Sequence, residues 1–418
     1  MTDRRVVITG TGVISCVGNS VAEFWDAVCQ GHCGLGQITR FDASEYRTKI
    51  AGEVKNFDIE KYMSHKDAKR LDLVVQYAVA AADEAVKQAG LPQTPEAQTE
   101  AERIGVLVGS GIGGLGTLSE QFQIMAERGP NKVSPLLIPM MIVDSCSGTV
   151  SMRYGAKGPN MGLVTACATA CHSIGEAFWI IKRGDADVMI TGGAEASVVK
   201  IGVAGFCSIK AMSTRNDDPQ HASRPFDRDR DGFVMSEGAG VLVIEELEHA
   251  RNRGANIICE LVGYGATGDA YHITSPDPEG KGAGRAIKMA MEHAGLNPED
   301  IDYINAHGTS TELNDKYETI AIKYALGEQQ ARKVAISSTK GVTGHALGAA
   351  GGLETIACAL AIRDGIIPPT INYENPDPEC DLDYTPNTAR TQAIRTAVNV
   401  NLGFGGHNGA LILKRFEK

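Results

Sequence analysis

One cysteine and two histidines stand where their side chains could reach a substrate. Cys167 lies in Thr165-Ala166-Cys167-Ala168-Thr169-Ala170-Cys171, after the small and apolar run Leu163 to Ala166. Beyond it Ile174, Ala177, Phe178 and Ile181 recur three and four apart until Gly184, which predicts a helix. The pattern reads as a short buried strand ending at the cysteine and a helix starting there. The free N–H groups and positive dipole end of a helix start favour thiolate over thiol. Free cysteines more often simply pack, so a nucleophile needs partners. His307 sits in Asn305-Ala306-His307-Gly308-Thr309-Ser310-Thr311, and His345 in Thr343-Gly344-His345-Ala346-Leu347-Gly348. Each is beside a glycine, where backbone can approach a ligand closely. A zinc site built on Cys167 or on Cys171-His172 is the competing reading, but no CxxC or HExxH spacing accompanies it.

The elements that must position these residues repeat. Arg5 to Thr9 reads as a strand followed by a loop through Gly10-Thr11-Gly12 to Gly18, and Ile258 to Gly265 is a second strand ending in glycine. Asp302 to Ala306 is a strand that ends at His307, and Val334 to Ser337 leads to Lys340. The helical pattern from Ala349 ends in Arg363-Asp364-Gly365, as the one after Cys167 ends in Arg183-Gly184-Asp185. Alternating strands and helices predict parallel sheets covered by helices. The expected organisation is a duplicated α/β unit with halves at 1–255 and 256–418, packed as one body. Gly109-Ser110-Gly111-Ile112-Gly113-Gly114 matches a dinucleotide-binding loop, yet the acidic residue and second strand which that fold requires do not follow. Ser337-Ser338-Thr339-Lys340 matches an S-x-x-K motif without its usual companions.

Composition narrows the class. With 418 residues, 43% of them hydrophobic, the chain can bury a large core. No apolar run is long enough to span a membrane, and MTDRRVVITG enters a strand without room for a signal peptide. Ten cysteines without CxxC pairs suit reduced thiols in the cytoplasm. A net charge of −11 argues against a nucleic-acid partner. Lys66, Lys69 and Arg70 fall on one face of a helix expected to run on through Leu73 and Tyr77 to Val86. Such charges usually only solvate a surface, but in an acidic protein they would suit an acidic partner.

Taken together, the cysteine and histidine motifs, Lys340 with Gly344 to Gly351, and Gly403-Phe404-Gly405-Gly406 resemble the β-ketoacyl-[acyl-carrier-protein] synthases, and among them the synthase II group of bacterial fatty acid synthesis. The resemblance runs from Arg5 to Lys414. It implies the thiolase-like fold, a duplicated α/β unit in five layers, and a decarboxylative condensation of a malonyl thioester with an acyl group carried on Cys167. In that scheme the N–H groups of Cys167 and Phe404 form the oxyanion hole, while neutral His307 and His345 donate to an enolate. Lys340 orients the histidine region and pairs with Glu354, and Asp315, Thr309 and Thr311 support the site. Ile112 and Phe404 bound and gate the acyl pocket. No cofactor or metal is required, and the expected partner is an acyl carrier protein. The basic face of Lys66, Lys69 and Arg70 is the best candidate dock for it in this acidic chain, with Arg128 and Lys132 weaker ones. The chain is expected to be a homodimer, with the Val188 to Thr191 strand pairing across the two-fold axis. Val400-Asn401-Leu402 departs from the usual Asn-Ser-Phe before the glycine loop. The alternatives are a ketosynthase of a type II polyketide or aryl-polyene pathway, or a non-catalytic carrier-binding subunit. A thiolase-like degradative enzyme would want a further cysteine between Gly403 and Gly409, where there is none.

Overall fold

A computed structural model describes residues 4–417. Its main sheet has nine strands: β1 (Val6–Ser15), β2 (Ile104–Gly109), β3 (Val188–Glu195), β4 (Gly238–Glu246), β5 (Cys259–Gly268), β6 (Tyr303–Asn305), β7 (Ala335–Ser337), β8 (Thr396–Gly403) and β9 (His407–Lys414). Their spatial order is β2-β3-β4-β1-β5-β9-β8-β6-β7. Six helices layer it: α1 (Leu73–Ala89), α2 (Ser145–Tyr154), α3 (Thr169–Arg183), α4 (Lys281–Ala294), α5 (Glu312–Leu326) and α6 (Ala350–Asp364).

The duplication is written in glycine. Gly10 and Gly12 lie inside β1, which runs on to Ser15 instead of breaking into a loop. A Cβ on Gly10 would stand 2.1 Å from the Ala85 carbonyl oxygen, and one on Gly12 would stand 1.9 Å from that of Ala81. Helix α1 can therefore lie directly on the strand. The second half repeats the device, for Cβ atoms on Gly263 and Gly265 of β5 would meet the carbonyls of Ala290 and Ala286 of α4 at 2.2 and 2.0 Å. These glycines serve helix–strand contact and not a phosphate.

Five layers follow. Helices α1 and α2 cover one face of β2-β3-β4-β1, and α4 with α5 covers the outer face of the β5-β9-β8-β6-β7 half. Between the two half-sheets lie α3 and α6, which touch each other and strands of both halves. Helix α6 is apolar nearly all round, as a helix buried on every side requires, while α3 is buried from Thr169 to Gly175 and carries its charges toward its C-terminal end. The half-sheets join where Val6 to Ile8 of β1 pairs with Leu261 to Cys259 of β5.

Several expectations need correction. The sheet is mixed: β2–β3, β8–β6 and β6–β7 are parallel and the other pairings antiparallel. A buried strand is apolar whichever way its neighbour runs, so the pattern carried no direction. Strand β3, which holds Val188 to Thr191, pairs with β2 on one side and β4 on the other. It has no free edge with which to cross a two-fold axis. Leu163 to Ala166 is not a strand; Leu163 to Thr165 is irregular and partly exposed and Ala166 already opens a 3-10 turn, just after Pro159 and Met161 bond to Val106 of β2. The basic turn is likewise a separate short helix, His65–Ala68, because Asp72 caps α1 afresh through the Val74 N–H. Among the described residues, no helix is long and apolar enough to cross a membrane.

Candidate active site

Helices α3 and α6 begin alike. Each is preceded by one tight 3-10 turn, Ala166–Ala168 and Leu347–Ala349, and each turn opens on a residue with positive φ, 51° at Ala166 and 47° at Leu347. Left-handed backbone is costly for such side chains and persists where surrounding structure enforces it. At Cys167 the enforcement is visible: the Thr169 hydroxyl donates to the Ala166 carbonyl at 2.7 Å and accepts from the Thr165 N–H at 2.8 Å. The turn presents Cys167 to a cavity of about 370 Å³.

That cavity collects the chemistry. Cys167, His307, His345, Thr309, Thr311 and Phe404 all line it, although they come from both halves of the chain. His307 follows β6, and its N–H and that of Gly308 donate to the two carboxylate oxygens of Glu318 at 2.6 and 2.7 Å. His345 is held by an isolated bridge to Met235, its N–H on the Val234 carbonyl and its own carbonyl taking the Ser236 N–H. The two imidazoles meet edge to face with centroids 5.2 Å apart. Lys340 is buried behind them, paired with Glu354 and with its Nζ 3.5 Å from His307 Nδ1. An ammonium facing Nδ1 leaves the proton of the neutral ring on Nε2.

Electrostatics sorts the protonation states. Burial holds both histidines well below their ordinary value, and the Lys340 charge lowers them further. Both rings are therefore neutral N–H donors. Burial pushes the Cys167 thiol up to about 12, against the pull of Lys340 and of the backbone N–H groups of Phe404 and of Cys167 itself. This corrects the expectation of a resting thiolate: desolvation outweighs the helix start, and the proton must leave during transfer.

The remaining sequence-derived residues divide by distance. Asp315 is fully buried behind the site, accepting from the N–H groups of Phe226 and Ser310, and Glu354 also takes the Asn401 amide at 2.6 Å. The unusual Asn401 thus braces the lysine's partner. Ile112 packs into the apolar cluster that contains Cys167. Lys66, Lys69 and Arg70 are exposed and do not line the cavity; the exposed cation at its lining is Lys210. Sequence reasoning missed Lys210, and it also missed Glu318. Glu318 could have been found, because Asn314, Asp315, Glu318 and Thr319 form a buried polar stripe at helical spacing on α5.

Known proteins share this architecture. The family model described as the beta-ketoacyl synthase N-terminal domain matches residues 3–250, and that for the C-terminal domain matches residues 258–374. A 3-oxoacyl-[acyl-carrier-protein] synthase 2 from Synechocystis sp. is 51% identical over 414 residues, spanning 99% of each chain. One from Staphylococcus aureus is 53% identical over 415 residues, again 99% of each. Among solved structures, a type II polyketide ketosynthase in complex with its acyl carrier protein superposes with a TM-score of 0.91 at 33% identity, covering both chains fully. A beta-ketoacyl synthase from Burkholderia phymatum gives 0.91 at 34% identity, over 99% of this chain and 100% of that one.

Proposed function

The chain belongs to the β-ketoacyl synthase family, and from that premise we propose that it elongates fatty acyl chains by decarboxylative condensation of malonyl-acyl carrier protein with an acyl group held on Cys167. It is a condensing acyltransferase. The observation that carries the reading is one cavity lined by a cysteine and two neutral histidines. The full-length relatives at 51% and 53% identity are 3-oxoacyl-[acyl-carrier-protein] synthases 2, while the polyketide ketosynthase stands at 33%, which favours fatty acid elongation as the pathway. The complete set of Cys167, His307, His345 and Lys340 disfavours a non-catalytic subunit.

The geometry supports this sequence of steps. An acyl thioester enters with its carbonyl oxygen between the N–H groups of Cys167 and Phe404. Sulfur attacks, the carrier thiol departs, and the Cys167 proton goes to that departing sulfur. Malonyl thioester then binds, its carboxylate leaves as CO₂, and the electron pair passes to the α-carbon. The enolate oxygen accepts from Nε2–H of His307 and of His345. The α-carbon attacks the acyl carbon, the Cys167–acyl bond breaks, the sulfur takes a proton from solvent water, and the 3-oxoacyl thioester leaves. Thr309 and Thr311, hydrogen-bonded to each other at 3.0 Å, line the entrance to this site and position the incoming thioester arm. Incubation with acyl- and then malonyl-carrier protein should yield a 3-oxoacyl product and CO₂; acylation without CO₂ release would overturn the reading.

An acyl carrier protein is the natural partner, as it is for the polyketide ketosynthase solved with one. We place its docking face on Lys66, Lys69 and Arg70, which have no ion pair among the described residues. Exposed pairs contribute about 0.2–1 kcal/mol each, so single changes should do little. Reversing all three to glutamate should lower kcat/KM for carrier-bound substrate about tenfold at low salt, and less as salt rises. Lys210→Glu is the comparison. If it reproduces the loss while the triple variant does not, docking belongs at the cavity mouth.

The functional unit we propose is a cytoplasmic homodimer of chains with halves at 1–255 and 256–418. All ten cysteines are free, as a reducing compartment requires. Exposed apolar side chains support the dimer: Leu118, Phe122 and Met125 project from the helix Leu115–Arg128, with Ile138, Met152, Met161 and Val164 also exposed. Exposed apolar side chains in this number mark an interface, and Met161, whose N–H donates to Val106, lies at the β2 edge of the sheet instead of on β3. Light scattering at micromolar concentration should give twice the mass of one chain, and Phe122→Glu with Met161→Glu should reduce it to one.

A further inference from the structure

Strand β3 ends at Glu195, just as β8 ends at Gly403 next to Phe404. In the second half, Phe404 reaches the turn that bears Cys167. In the first half, Glu195 reaches the matching turn, where Gly348 holds the place of the cysteine. Its Oε2 accepts from the Gly348 N–H at 3.1 Å and from the Gly111 N–H at 3.0 Å. Its Oε1 accepts from the hydroxyls of Ser110 at 3.2 Å and Ser197 at 3.0 Å. The duplicated fold thus builds an anion-accepting helix start twice and fills the second with its own carboxylate.

Neither backbone leaves room for anything else. A Cβ on Gly348 would stand 2.3 Å from the Gly111 nitrogen, and one on Gly111 would stand 2.7 Å from Oε2 of Glu195. Ser110 extends the grip, for its hydroxyl oxygen also accepts from the Gly113 N–H at 3.0 Å. The loop Ser110 to Gly113 is therefore fastened to Glu195 at two points and closed on itself by a third bond, and Ile112 is carried within it. Leu347, next to Gly348, lines the cavity beside Cys167. Glu195 is fully buried and makes no ion pair among the described residues. Burial lifts its carboxyl to about 7 in spite of those four hydrogen bonds. A carboxylate kept in so unfavourable a place, with no cation beside it, has work that a small apolar residue would not do.

We propose that Glu195 is a positioning residue that clamps the loop bearing Ile112 to the Leu347–Ala349 turn and so sets acyl-chain selectivity. This rests on the condensing-enzyme reading and on Ile112 bounding the acyl pocket. Only a chain long enough to pass Ile112 senses the loop; a short one ends before it.

The test is self-acylation of Cys167 by short and long straight-chain acyl thioesters, followed by intact mass. Glu195→Ala frees both amides and should slow the long-chain reaction about tenfold, the scale of hydrogen bonds to a charged group, with the short-chain rate unchanged within about twofold. Glu195→Gln can accept both amides with its carbonyl while the two serine hydroxyls turn to accept from its NH₂. It should keep both rates within about twofold of the parent protein. A merely structural loss would slow both chain lengths together. An unchanged long-to-short ratio in Glu195→Ala, or a ratio in Glu195→Gln as low as in Glu195→Ala, overturns the clamp. Should Glu195→Ala not fold, Glu195→Asp is read in its place, since it is one methylene too short to hold both amides. Absence of a Cys167 adduct in the parent protein is a different result: it overturns the condensing reading and the clamp's role with it.

Discussion

Replacing His307 or His345 by alanine should slow CO₂ release from malonyl-carrier protein by about 10²–10³-fold, the usual cost of one donor to a developing oxyanion. Acylation of Cys167 should survive in both variants, because the N–H groups of Cys167 and Phe404 are untouched. Both rings are neutral donors, His307 from Nε2 because Lys340 faces its Nδ1, and both are held well below 6.5 by burial and by Lys340. The sign follows from that. Protonation is what disables the pair, and lowered values postpone it to more acid conditions. The decarboxylation rate should therefore stay level as pH falls through 6.5 and decline only below it. An acid limb centred at 6.5 would mean that an ordinary exposed imidazole is responsible. Wild-type CO₂ release from either alanine variant would remove that histidine from the mechanism.

Cys167→Ser should abolish condensation, with a loss on the order of 10⁴-fold or more, as when a covalent nucleophile is removed. Decarboxylation of malonyl-carrier protein should persist, since the histidines and Lys340 remain. Peptide mapping after acyl transfer should place the added mass on Cys167. Cys171 is the nearest rival in sequence, yet it is buried in the middle layer. A Cβ on Gly409 would stand 2.8 Å from its sulfur, and it does not line the cavity. Burial also raises the Cys171 thiol, with the Glu354 charge adding to the effect. An acyl group found on Cys171, or one that survives in Cys167→Ser, would reassign the nucleophile.

Residue types and short spacings carried much of this protein. Cys167 at a helix start, His307 and His345 beside glycines, and the two helices ended by Gly184 and Gly365 were legible without coordinates. Local chemistry writes such signals: a nucleophile needs a turn, a close approach needs glycine, a helix needs a stop. The repeat was legible too, since each half reuses the same strand and helix patterns. What the sequence could not supply was anything summed over distant groups. Gly10 and Gly12 looked like the start of a loop until α1 lay on them inside β1, because a close contact involves a partner some 70 residues away. Strand β3 looked free to pair across an axis, but an edge is defined by neighbours, and β2 and β4 arrive from far along the chain. The Cys167 thiol looked ready to ionise, since the helix start is local while the desolvation that outweighs it comes from the whole surrounding body. Glu195 showed nothing in sequence, because its meaning is two amides, Gly111 and Gly348, that only the packed halves bring to one oxygen.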